Sequence, residues 1–177
     1  MSVNIEKKIM KGNNVNLKLL ALFSIFLTNI LAAHEIQYFI PKKFYESLFT
    51  ISVGYGQNHF YSPGKLLEEA INMQTKKDKI LKKCLPGEKS KKIIQLTPGS
   101  SFNPQMNVFQ TDLKVDFLDE RSEVVMSKKI TYKTVTRMAS HEDVILNHYK
   151  KLVEKLIDVD ELWTSESENL IDGKICN

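Results

Sequence analysis

Between Phe109 and Phe117 the chain alternates with a period of two. Phe109, Thr111, Leu113, Val115 and Phe117 fall on one side, and Gln110, Asp112, Lys114 and Asp116 on the other. A helix would scatter both sets around its circumference, whereas an extended strand keeps them apart, one face buried and one wet. Asp119-Glu120-Arg121-Ser122 makes a polar turn, and residues 123–136 form a second strand with Met126, Ile130, Tyr132 and Thr134 on one side. The spacing predicts a long antiparallel hairpin, whose apolar face requires a second layer packed against it.

The rest of the chain supplies that layer. Ser62-Pro63 is a helix start, because serine caps orphan N–H groups and proline has none to lose at the first position. Leu66, Leu67, Ala70, Met73, Ile80, Leu81 and Cys84 follow near helical spacing up to Pro86-Gly87, which predicts a helix over 63–84. Ser140, with Asp143 three residues on, opens a last helix striped by Ile145, Tyr149, Leu152, Leu156 and Trp163. Upstream, Tyr45, Phe49, Ile51, Val53 and Tyr55 share one face of a strand over 45–55, and Ile93–Thr97 is a further short strand. The expected order is β-α-β-β-β-α. That is an α+β two-layer sandwich in which an antiparallel sheet with a long hairpin in its C-terminal half carries two covering helices.

Residues 19–33 read LLALFSIFLTNILAA, uncharged, preceded by Lys7, Lys8, Lys11 and Lys18 and closed by Ala32-Ala33. This is the layout of a secretory signal peptide, shorter than the roughly 20 apolar residues a membrane span uses. Residues 1–33 are therefore read as an export signal, 34–163 as one α+β domain and 164–177 as a polar tail. Met10-Lys11 would also serve as a compact start. Retention of Leu19–Ala33 as an uncleaved anchor is the alternative, and it would hold the domain at a membrane. His34 follows Ala33 where a lipoprotein carries Cys, so no lipid anchor is expected. The expected location is periplasmic or secreted. In an oxidising space Cys84 and Cys176 can pair; the alternative is two separate thiols, one on a frayed tail.

The net charge of +4 does not mark a nucleic-acid binder. Four of the 25 basic and one of the 21 acidic residues lie before position 34, leaving 21 basic and 20 acidic side chains in the domain and tail. Nucleic acid needs a clustered basic excess. The densest basic run holds Lys76, Lys77, Lys79, Lys82 and Lys83, with Lys89, Lys91 and Lys92 beyond it. It suits anionic headgroups or an acidic partner, or else is a solvated helix end facing the acidic stretch from Asp158 to Glu168. Tyr45, Phe49 and Tyr55 belong to an aromatic-rich segment that fits either the core or an apolar groove for a lipid or partner.

Catalytic patterns fail on spacing. His141-Glu142 lacks a second histidine at position 145, which is Ile145, and His148 lies too far along a helix to share a zinc with His141. These histidines read as polar residues on a helix surface. Gly54-Tyr55-Gly56 is followed by His59 where a dinucleotide loop needs glycine. Asp112 and Asp116 sit on the wet face of a strand, where solvation does not separate the pKa values of a carboxylate pair. No catalytic residue, metal or cofactor is expected, and the chain is read as a binding protein, not an enzyme.

The order of elements resembles the auxiliary lipoprotein of ABC-type intermembrane lipid transporters, the periplasmic partners of substrate-binding proteins with an MCE domain. Gln37-Tyr38-Phe39-Ile40-Pro41 looks like the family's Tyr-x-Leu-x-Pro-type opening. The strands at Val108–Leu118 and Val124–Thr136 are similar to its central strand–turn–strand, and Ser140–Leu162 to its closing helix. The chain departs from the family at the lipid-bearing cysteine and at the Trp-containing segment before the first helix, where Phe60-Tyr61-Ser62-Pro63 stands instead. The resemblance implies a non-catalytic accessory subunit that helps move phospholipid, with transporter subunits or other envelope proteins as partners. The alternative is a secreted or periplasmic protein-interaction factor, such as an adhesion or assembly protein.

Overall fold

A computed structural model describes residues 34–52, 58–74, 79–135, 141–164 and 171–176. The elements run β1 (His34–Phe39), α1 (Lys43–Glu46), β2 (Phe49–Ser52), β3 (Asn58–Tyr61), α2 (Pro63–Asn72), β4 (Lys79–Lys83), β5 (Lys89–Ser90) and β6 (Ile93–Asn103). They continue with β7 (Val108–Leu118), β8 (Val124–Val135), α3 (His141–Ile157), α4 (Asp160–Thr164), β9 (Ile171–Asp172) and a 3-10 turn (Gly173–Cys176). The expected export segment, Tyr55, Lys76 and Lys77 lie outside the described residues.

The α+β two-layer plan holds, built on a five-stranded sheet of order β4-β1-β6-β7-β8. The predicted hairpin is its antiparallel half: β7 pairs with β8, Leu113 opposite Ile130, and with β6, Leu113 opposite Pro98. The other half is not antiparallel as expected, because β1 runs parallel to both β4 and β6. In the turn between β7 and β8 the Asp119 carboxylate accepts the backbone N–H groups of Arg121 and Glu123 at 2.9 and 2.8 Å. That local bonding is why an acidic residue begins it.

Five assignments shift; two concern length, since the strand expected over Ile93–Thr97 runs on to Asn103 and the last helix ends at Ile157, leaving Trp163 on the separate α4. The helix expected over 63–84 ends at Asn72, and Lys79–Lys83 instead forms the strand β4. Leu81 enters the core while Cys84 joins a different cluster on the other side of the sheet, so the two do not share a helical face. The strand expected from residue 45 is preceded by the single turn α1 and starts at Phe49, pairing with β3 as a separate two-stranded ribbon. β1 was not expected at all; its Ile36 and Tyr38 are buried in the core.

Phe109, Thr111, Leu113 and Val115 of β7, all fully buried, face α2 and α3. Against them pack Leu66, Leu67 and Ala70 of α2 and Ile145, Tyr149, Leu152 and Leu156 of α3. A smaller cluster of Cys84, Ile93, Leu118 and Ile171 lies apart from this core, with Phe39, Ile175 and Cys176 against it. The tail therefore takes part in the fold through residues 171–176. The strand β9 pairs with β5, and a Cys84–Cys176 disulfide, Cα atoms 5.8 Å apart, fastens it.

The start of α2 is fixed by contact with α1. The Ser62 hydroxyl, at the expected cap position, donates to the carbonyls of Phe44 and Tyr45 at 3.1 Å each instead of capping its own helix. A Cβ on Gly64 would stand 2.9 Å from the Phe44 carbonyl carbon and oxygen. Backbone cannot yield as a flexible side chain can. Gly64→Ala is thus expected to destabilise by about 1–2 kcal/mol net, overpacking exceeding the helix-propensity gain. Urea unfolding checks it, and a stabilised variant would refute the close approach.

Candidate functional site

The lysine run is absorbed by the fold. Lys79 Nζ donates to the Ile157 carbonyl at 3.2 Å, at the C-terminal end of α3 where cations are favoured, and lies 3.7 Å from Asp160. Lys82 sits 3.6 Å from Glu35 and 3.4 Å from Glu88, and Lys83 2.7 Å from Glu68. Lys92 Nζ reaches the Leu162 carbonyl at 2.6 Å. Lys83 also stands over the Tyr45 ring, 5.2 Å from its centroid. These contacts tie β4 and the residues after it to α2, α3 and α4. Tyr45 and Phe49 are half-buried and packed against the core, not lining a groove. Burial, then the Glu68 carboxylate, pushes the Tyr38 hydroxyl up to about 12 and raises that of Tyr45 as well.

Further lysines stand on β8 and on α3, on the two faces of the sheet. β8, of sequence VVMSKKITYKTV, carries Lys128, Lys129 and Lys133 and no acidic residue. α3 packs on the inner face of β8 and carries Lys150, Lys151 and Lys155 with Glu142, Asp143 and Glu154, whereas Lys129 and Lys133 lie on the opposite face beside Asp112 and Gln110. Lys155 Nζ lies 5.3 Å from the Tyr132 ring centroid and 3.5 Å from the Thr131 carbonyl. Lys151 pairs with Glu154 at 2.7 Å, and Lys129 with Asp112 at 3.1 Å. Two recesses adjoin the C-terminal half of β8 and share Thr134. One, of about 540 Å³, is bordered by Phe102, Met106, Lys133 and Val135. The other, of about 400 Å³, lies between Tyr132 on the strand and Asn147, Lys150 and Lys151 on the helix.

His148 stands behind Thr134. It is 2% exposed, not the surface residue expected. Its Nδ1 lies 2.9 Å from Thr111 Oγ1 and its Nε2 2.8 Å from Thr134 Oγ1, while Phe109 and Tyr132 meet the ring edge-on. Burial depresses its pKa to about 4, so the imidazole is neutral at pH 7, donating through one nitrogen and accepting through the other. Hydroxyls on both sides satisfy a neutral ring, whereas a catalytic histidine is oriented by a group that stabilises its cation.

Asp112 and Asp116 share the sheet face opposite the helices, but Asp116 is not solvated as expected. It is 1% exposed, held by Lys114 Nζ at 2.9 Å and by the Ser127 hydroxyl at 2.6 Å. At Asp112 burial acts to raise the pKa, but hydrogen bonds from Thr131, Gln110 and Lys129, with the Lys129 charge, outweigh it and the net shift is downward. Both carboxylates are thus occupied in cross-strand bonding. Among the described residues, no three His, Cys, Asp or Glu side chains gather to hold a metal, and no helix is long and apolar enough to cross a membrane. No protein-family model matches the sequence, and no curated protein matches it.

Sequence reading missed the β8–α3 lysines because they are dispersed over residues 128–155 and no short window is dense in them. The available sign was the asymmetry of β8 itself, three lysines without one carboxylate.

Proposed function

We propose that this chain is an exported, non-catalytic binding protein that works by contact with other proteins. The observation that carries the reading is the Cys84–Cys176 disulfide. Such bonds persist in oxidising compartments and are reduced in the cytosol, and this one fastens a tail that completes the second apolar cluster. The apolar run before His34 supports the same route. The lipid-transport role implied by the family resemblance calls for a space that accepts acyl chains. The recesses beside β8 are open and mixed in lining, Phe102, Met106 and Val135 standing with Lys133 and Thr134 in one of them, and the aromatic residues Tyr45, Phe49 and Tyr61 are spent on the core, which leaves no enclosed acyl chamber among the described residues. Protein contact is therefore the better-supported of the two binding roles.

Subcellular fractionation with thiol alkylation tests this. The expected result is a chain in the periplasmic or secreted fraction whose two cysteines resist alkylation until reduced. A cytosolic chain with both thiols free would overturn it. Lipid extraction of the same material is expected to yield no stoichiometric phospholipid, and co-purified phospholipid would return the assignment to lipid transport.

A further inference from the structure

We propose that β8 is an acceptor edge to which a partner protein adds an extended, acidic segment as a sixth strand. The inference rests on the protein-contact reading above and names the surface and the chemistry of the partner.

β8 is the last strand of the sheet, and among the described residues no strand pairs with its outer side. In an antiparallel ladder alternate residues turn both N–H and C=O away from the neighbour. The Thr131 carbonyl meets the Lys155 ammonium instead of a strand. Proteins usually blunt such an edge with proline, a very short strand, lysines, a bulge or a covering element; on β8 the register shift lies at its first residues, and the lysines turn away a basic strand but not an acidic one. β8 has 12 residues and no proline, and Val125 and Val135 are 65% and 66% exposed. Its inner face is covered by α3; its edge is not covered by any described strand.

Charge chooses the occupant. A second copy paired antiparallel about Thr131 is disfavoured, because that register sets Lys129 directly opposite Lys133, and like charges facing each other across a ladder repel. Lys129 and Lys133 share the face of β8 opposite the helices and complement a strand bearing Asp or Glu at alternate positions on that face. At the C-terminal end of β8 the recess between Met106, Phe102 and Val135 is open to an apolar side chain of that strand. The partner is therefore an acidic segment with an apolar residue at one end, held by main-chain hydrogen bonds and sorted by its side chains.

The test uses the oxidised protein and a fluorescein-labelled peptide that alternates Glu with Val, followed by anisotropy and by hydrogen exchange at the β8 amides. The expected result is binding at least about tenfold tighter than that of the corresponding Lys–Val peptide. It should weaken with added salt and slow exchange in β8. N-methylating alternate peptide amides should abolish it. Lys129→Glu combined with Lys133→Glu should reverse the preference toward the basic peptide. If that variant does not fold, the N-methyl series decides on the native protein. Equal affinity for both peptides, indifference to N-methylation, or a wild-type dimer joined through β8 would overturn the proposal. Crosslinking that captures a partner on another face would overturn it too, while leaving the protein-contact reading intact.

Discussion

Replacing Cys84 and Cys176 together by Ser is expected to lower the stability of the domain by roughly 4–5 kcal/mol. The bond joins residues 92 apart in sequence, and in the chain-entropy model closing a loop of that length removes about this much freedom from the unfolded chain. The folded-state loss points the same way. Cys84, Ile93, Leu118 and Ile171 form a cluster with few members, and the chain from Ile171 to Cys176 is otherwise attached through a two-residue pairing, Lys89 with Asp172 and Ser90 with Ile171. At about 2–4 °C per kcal/mol for a chain of this size, the melting temperature should fall by about 10–15 °C. Circular dichroism melts with and without reductant measure it for the native protein, and the double variant controls for side effects of the reductant. Hydrogen exchange should place the loosening first at β5 and β9, with β6, β7 and α3 kept. An unchanged melting temperature would mean that the bond adds nothing to the stability of the fold and that the tail is held by the β5–β9 pairing and Ile171 alone.

What could be read from the sequence divides by how local the cause is. The alternation in β7 was legible because one side of that strand packs on helices while Gln110 and Lys114 do not, so composition follows the pleat. The start of α2 was legible because Ser62-Pro63 acts within a turn; its true partners, the Phe44 and Tyr45 carbonyls, were not, since they come from a helix 17 residues away. β4 was misread because Ile80, Leu81 and Cys84 have a spacing that a helix also allows. Only the parallel pairing with β1, Ile36 beside Leu81, makes that stretch extended, and tertiary pairing overrides propensity in such short runs. β1 itself abuts the apolar run ending at Ala33, which dominated the reading of that region. The contact of α3 with β8 exists only after the chain reverses between them, bringing Lys155 to Thr131 across 24 positions. Residue type likewise misled at His148, which was assigned to the surface because it is polar, while the two threonines that satisfy it lie on β7 and β8.

That arrangement at His148 leads to an expected acid sensitivity. In the unfolded chain the imidazole takes up its proton near pH 6.5, whereas in the fold burial postpones protonation to about pH 4. Between these values the unfolded state binds more protons than the folded one, so stability must fall as the pH falls through this window and is unaffected by this group above it. A gap of this width corresponds to about 3 kcal/mol at its lower end. The groups against the ring are Thr111 and Phe109 from β7 and Thr134 and Tyr132 from β8. None carries a negative charge at these pH values to favour the cation, and Lys150, Lys151 and Glu154 of α3 line the recess in front of Thr134. Asp112 acts elsewhere on the scale: its folded pKa lies below the usual 3.8, so its stabilising share is lost only at still lower pH. The His148→Gln variant keeps a donor and an acceptor for the two threonines but has no proton to gain. Urea unfolding from pH 7 to pH 4 should therefore show the native protein losing about 3 kcal/mol more than His148→Gln over that interval. Parallel loss in the two would show that the ring is reached by water and protonates in the fold as readily as in the open chain.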